Sequence, residues 1–206
     1  MKWRLVEVTQ ETSHPFLNYF TLHYEVLKND EKKNYSYYLA SRHKKEELLP
    51  ETHNLARPDG VAIPLYYRDE AGNYSILLTK QFRPAIGAYV YSVPAGLMDP
   101  NDRDILEVAK REAKEETGAI IGELEVLSKI GTTSSGLSDE TNAIVLGRIL
   151  SFEEKKLEEF EDIHAKLYSL EEIQKMLKED SYFFSNTARL LLLLLLELFK
   201  SAKSLN

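Results

Sequence analysis

The sequence predicts an α/β fold of the α+β kind, a mixed β-sheet flanked by single helices. Two observations carry that expectation. Short runs rich in aromatic and β-branched residues recur along the first 170 or so positions, separated by Gly-, Asn- and Asp-containing turns. Helical signals follow strands singly, without strict β-α alternation. The 206 residues, 43% hydrophobic and 29% charged, suit one good-sized domain or a core domain with a small appendage.

The elements follow in order. Residues 1–55 read as an N-terminal β-rich segment, with strand signals in WRLVEVTQ, FLNYFTLHYEVL and NYSYYLASR and a polar hairpin at KNDEKKN. HKKEELLPETHNLARPDG connects into a main domain, residues 56–206. There VAIPLYYRDEAGNYSILLTKQF reads as a hairpin turning at 69–73. AYVYSVPAG is a strand ending at Pro94-Ala95-Gly96, and a helix covers 104–117. Strands are expected at 124–132 and 142–150. IHAKLYSL is a last strand running into a helix opened by Ser169 and Glu172 at capping-box spacing. A final helix covers 186–203, with the leucine run 190–196 expected to be buried.

Composition excludes several function classes. There is no cysteine, so disulfides, thiolate metal sites and cysteine nucleophiles are ruled out. A net charge of -7 without a long basic run argues against nucleic acid as partner. The leucine run is far short of the roughly 20 apolar residues of a membrane span. MKWRLVEVTQ lacks a signal-peptide core, so a cytoplasmic location is expected. The five histidines are scattered without metal-ligand spacing, and no serine has a matching His-Asp arrangement.

The stretch REAKEETGA, residues 111–119, raises the sharpest question. Asp104 is a good N-cap for the helix, with Glu107 three residues on, and Gly118 is a natural stop. At about 100° per residue, Glu112, Glu115 and Glu116 share roughly a third of the circumference. Ile105, Val108, Ala109 and Ala113 lie on or beside that side, while Lys110, Lys114 and Thr117 point to the other. Carboxylates beside a packed surface lose hydration and repel one another. Arg111 can relieve one of them, and a divalent cation would relieve all three. Oxygen-only ligands favour Mg²⁺ or Mn²⁺. On geometry alone, a solvated acidic face paired to lysines fits as well.

The wider pattern separates these readings. Gly96, a polar loop and then Arg-Glu-Ala-x-Glu-Glu-x-Gly-Ala resembles the Nudix box, matched at Arg111, Glu112, Ala113, Glu115, Glu116, Gly118 and Ala119. The earlier half departs: fourteen residues separate Gly96 from Arg111, one more than in the family pattern. The first box glutamate therefore falls on Asp102 or Arg103, and the extra residue belongs to the loop LMDPND. LLTKQFRPAIGAYVYSVPAGLMDP and SSGLSDE resemble the ADP-ribose pyrophosphatase branch, and with the box the likeness covers about residues 60–170.

That resemblance implies a Nudix-type α/β/α sandwich and a metal-dependent hydrolase. Its substrate would be ADP-ribose or a related nucleoside diphosphate sugar, split into AMP and a sugar phosphate. Carried over by position, Glu112 and Glu116 are the principal ligands of Mg²⁺ or Mn²⁺, Glu115 assists, and the Ala95 carbonyl completes the set. Arg111 supports the glutamates. Arg83, with Gln81, meets the substrate. Glu140 activates water or holds a further metal, with Asp139 as the competing candidate. The resemblance also implies a homodimer whose N-terminal segment contacts the base, through an aromatic among Trp3, Tyr19, Tyr24, Tyr35, Tyr37 and Tyr38. Other Nudix substrates (GDP-mannose, NADH, FAD, dinucleoside polyphosphates) and a non-catalytic nucleotide sensor are the alternatives.

Overall fold

The computed structural model describes residues 1–204. It divides into two compact units. The first comprises Met1–Asp59 together with Ile130–Asn142, and the second comprises Gly60–Lys129 and the residues from Ala143 onward.

The first unit is built on an antiparallel three-stranded sheet of β1 (Lys2–Gln10), β2 (Asn18–Lys28) and β3 (Glu31–Ser41). β2 and β3 stay in register from Asn18↔Ser41 to Lys28↔Glu31. Asn29 and Asp30 close that hairpin, both with positive φ (52° and 62°), as a two-residue turn with right-handed strand twist requires. The sheet buries Val8, Phe20, Leu22 and Leu39 against Leu48, just before the one-turn helix α1 (Leu49–Thr52).

In the second unit, β4 (Gly60–Ala62), β5 (Leu65–Arg68), β6 (Tyr74–Arg83), β7 (Ala88–Ser92), β8 (Ala95–Leu97), β9 (Ala119–Thr132), β10 (Thr141–Phe152) and β11 (Ile163–Ser169) form one mixed sheet. The end of β9 and the start of β10 fall in the first unit. The sheet order is β11-β6-β5-β10-β4-β8, with β7 on β6 and β9 on β10. β5 and β10 run parallel, while β6 is antiparallel to β5, β7 and β11. Both faces are covered, which is why the centre of β6, Ile76-Leu77-Leu78, is apolar without alternation. Ile76 and Leu78 pack with α3 (Leu170–Met176) and α4 (Asn186–Ser204), whereas Leu77 packs with α2 (Ile105–Thr117). The result is an α/β/α sandwich.

Local signals explain the boundaries. Asp104 caps α2 by accepting from the Leu106 amide, and Ser169 and Glu172 make the reciprocal capping box of α3. Three expectations need correction. The strand expected to end at Pro94-Ala95-Gly96 is split. Pro94 has no N–H to offer, its carbonyl accepts from Ile63, and Ala95–Leu97 leaves β7 to pair with β4 as β8. Thr117 does not face solvent with the lysines. It is buried, with its hydroxyl on the Ala113 carbonyl, because β9 begins directly after Gly118 and folds back over the helix end. The leucine run of α4 is only half buried: Leu191, Leu192, Leu195 and Leu196 enter the core, while Leu190, Leu193 and Leu194 are exposed. Among the described residues no helix is long and apolar enough to cross a membrane.

Gly118 ends α2 with φ 75°, and a Cβ there would stand 2.2 Å from the Glu153 carbonyl oxygen. Gly118→Ala should therefore lower stability by about 1–3 kcal/mol or more, read as an earlier urea midpoint. An unchanged midpoint would contradict this account of the helix stop.

Candidate active site

The second unit brings α2 down onto β8 and β4. Val108, Ala109 and Ala113 lie in the same core as Val61, Ile63 and Leu77, and this apolar contact sets how close the glutamates come to the β8 backbone. Gly96 lets the Glu112 carboxylate lie directly over the strand, and any larger residue there would displace that carboxylate. A Cβ at this position would fall 1.9 Å from the Glu112 carboxyl carbon. Glu116 is buried, and its Oε2 accepts from the Ala95 amide at 3.2 Å. The Glu112 side chain keeps only 14% of its surface, whereas Glu115 keeps 46%. On the outer face Lys114 pairs with Glu153 at 2.8 Å.

Arg111 binds more partners than its sequence position suggests. Its Nη1 donates to Glu112 Oε1 at 2.8 Å and to Glu115 Oε2 at 3.2 Å. Its Nη2 donates to Asp102 Oδ2 at 3.0 Å and to the Leu97 carbonyl at 3.4 Å. Asp102 Oδ2 also accepts from the Asp99 amide at 2.8 Å. The irregular loop therefore closes as a tight turn at 99–102 and presents a carboxylate to Arg111. Of the two residues left ambiguous by the spacing, Asp102 is the one that meets Arg111.

Electrostatics divide the glutamates. Burial raises the Glu116 carboxyl from 4.5 to about 8; the Ala95 N–H and Arg83 oppose the shift, while Glu112 and Glu161 add to it. Burial also raises Glu112, against the pull of Arg111. Glu161, between β10 and β11, adds negative potential at both and had no signal within the run EEKKLEEFED. Arg83 and Gln81 alternate with Phe82 on β6 and so share the sheet face that Leu77 presents to α2.

Among the described residues, no three acidic or imidazole side chains already stand in the geometry of a metal cage. Arg111 draws Glu112 and Glu115 towards itself. The donor chemistry nevertheless fits a hard divalent cation. The side chains that converge there are carboxylates, the Glu112 carboxylate lies directly over Gly96, and the deepest carboxylate, Glu116, accepts from a backbone amide rather than from a cation.

The other candidates lie in the first unit. Asp139 is buried, and its Oδ2 accepts from the Leu49 amide at 3.1 Å, so it fastens the loop. Glu140 is partly exposed and held by Arg42 and Thr133. A cavity of about 570 Å³ is walled by Trp3, Tyr24, Tyr35 and Tyr37. Trp3 meets Tyr24 and Tyr35 edge-on at 5.7 and 5.5 Å, whereas Tyr19 and Tyr38 stack on each other and take no part in its walls.

The NUDIX domain family model matches residues 56–187. The chain belongs to the Nudix family. Its box is the Gly96–Ala119 segment that forms β8, the 99–102 turn and α2. Over 91 residues it is 36% identical to a putative nudix hydrolase 2 of Caenorhabditis elegans, covering 44% of this chain and 40% of that protein. Over 59 residues it is 46% identical to an ADP-ribose pyrophosphatase of Saccharomyces cerevisiae, covering 29% of this chain and 25% of that protein. The matched region thus spans less than half of these curated relatives. A crystal structure of an ADP compounds hydrolase superposes with a TM-score of 0.71 over 98% of this chain and 96% of the other, at 17% identity, a likeness of fold.

The raised Glu116 carboxyl has a consequence for the Nudix domain without metal. The unfolded chain releases this proton near 4.5, and the folded chain keeps it until about 8. Stability should therefore fall as pH rises through that window. Glu116→Gln should equal the parent below pH 4.5 and exceed it at pH 8 by a few kcal/mol, on the order expected for a buried carboxylate. Identical urea midpoints at both pH values would contradict the burial of this charge.

Proposed function

We propose that the protein is a metal-dependent pyrophosphohydrolase that splits ADP-ribose, or a related nucleoside diphosphate sugar, into AMP and a sugar phosphate. The observation that carries this reading is the pair Glu112 and Glu116, packed against the Ala95–Gly96 backbone on the box helix. Similarity to a protein named as an ADP-ribose pyrophosphatase supports the substrate class.

In this reading Glu112, Glu116 and the Ala95 carbonyl hold Mg²⁺ or Mn²⁺, with Glu115 assisting. When bound, the ion neutralises diphosphate charge and lowers the barrier to attack by water. Arg83 and Gln81 hold the phosphates. Glu140 takes the proton of the attacking water as its oxygen bonds to phosphorus and the bridging P–O bond breaks. Arg111 orients Glu112 and Glu115 through its Nη1 and ties α2 to the 99–102 turn through its Nη2. The first unit supplies an aromatic contact to the base through Trp3 and its tyrosine neighbours, in a cytoplasmic homodimer. The size and aromatic walls of the cavity support that contact.

Purified protein with Mg²⁺ or Mn²⁺ should release AMP from ADP-ribose, followed by anion-exchange chromatography. Glu116→Gln should reduce turnover by at least about 100-fold while circular dichroism is unchanged. Near-normal turnover in that variant would contradict the ligand assignment. A panel of GDP-mannose, NADH, FAD and diadenosine polyphosphates decides the substrate class: a higher kcat/KM for any of these than for ADP-ribose would overturn it.

A further inference from the structure

We infer that Arg42 is a positioning residue for Glu140: it selects the orientation in which that carboxylate can accept a proton. The inference rests on the proposed role of Glu140 and adds a residue outside the Nudix box, on the N-terminal unit.

The loop carrying Glu140 is shaped by the end of β3. The Ala40 amide donates to the Leu137 carbonyl at 2.9 Å, and the Tyr37 hydroxyl donates to the Gly136 carbonyl at 2.8 Å. The Thr133 amide donates to the Glu140 carbonyl at 3.1 Å, which closes the loop on itself. Both neighbours of Glu140 are pinned. Asp139 accepts from the Leu49 amide at 3.1 Å. The Thr141 amide donates to Asp59 Oδ2 at 2.7 Å, and His43 holds the other oxygen of Asp59 at 2.8 Å.

With the backbone fastened on both sides, the freedom left to Glu140 is in its side-chain torsions. Two groups from different segments remove it. Arg42 Nε meets Oε2 at 3.3 Å, and Thr133 Oγ1 donates to Oε1 at 3.1 Å. Each carboxylate oxygen has a second lone pair, so both contacts can persist while the group accepts a proton from water. Arg42 and Glu140 keep 54% and 30% of their side-chain surface, and an exposed ion pair of this kind adds little to stability. A stability role alone therefore explains the arrangement poorly.

A double-mutant cycle on the full-length protein, with Mg²⁺ and ADP-ribose at saturation, tests this. Arg42→Ala should lower kcat about tenfold with KM nearly unchanged, and Arg42→Lys should recover part of the loss. Glu140→Gln should lower kcat by at least about 100-fold, and adding Arg42→Ala to it should cause no further loss. If Arg42→Ala lowers kcat by the same factor in both backgrounds, or not at all, Arg42 does not act through Glu140. Full turnover in Glu140→Gln would overturn the role of Glu140 itself and that of Arg42 with it.

Discussion

A carboxylate held against a strand backbone is the constraint from which the candidate site follows. Glu116 is buried because the apolar residues of its own helix, Val108, Ala109 and Ala113, pull α2 onto the sheet. Burying an ionised group without a partner is costly, so the surroundings of Glu116 must either neutralise it or supply a cation. The protein supplies one amide, from Ala95, and the glycine at position 96 lets the Glu112 carboxylate lie directly over the neighbouring backbone. Arg111 serves Glu112 and Glu115 instead. The deepest carboxylate is thus the one least provided for by the chain, which is what a site completed by an added ion requires.

Local chemistry was the part of this most visible in the sequence. The cap at Asp104, the stop at Gly118 and the capping box at Ser169 and Glu172 each depend on neighbours within a few residues, and each stands as read. The box helix was legible for the same reason. Sequence position understates Arg111 because its contacts to Leu97, at the end of β8, and to Asp99 and Asp102, in the turn that follows, depend on a geometry that the extra residue obscures. Thr117 was misplaced because helical periodicity describes an isolated cylinder and ignores the strand that starts at Ala119. The leucine run was read as wholly buried because a run of identical residues hides its own periodicity.

Long-range pairing was the least legible part. Residues 130–142 join the first unit through contacts to Tyr37, Ala40, Leu49 and Asp59, at sequence separations near one hundred. Nothing in SSGLSDE announces those partners. The consequence reaches function: the candidate base sits on a loop organised by the N-terminal sheet, while the box glutamates sit on the sandwich. The candidate residues are divided between the units, with the box glutamates and Arg83 on one and the aromatic walls and Glu140 on the other.

On the proposed function, Glu112 and Glu116 form an incomplete cation site beside Ala95 and Gly96. Titration of Mn²⁺ at neutral pH, followed by electron paramagnetic resonance, tests it most directly because it requires no substrate. The wild-type protein should bind the ion in the absence of nucleotide, and both Glu112→Gln and Glu116→Gln should weaken that binding by at least about tenfold. Equal Mn²⁺ affinity in the wild type and both variants would contradict the claim.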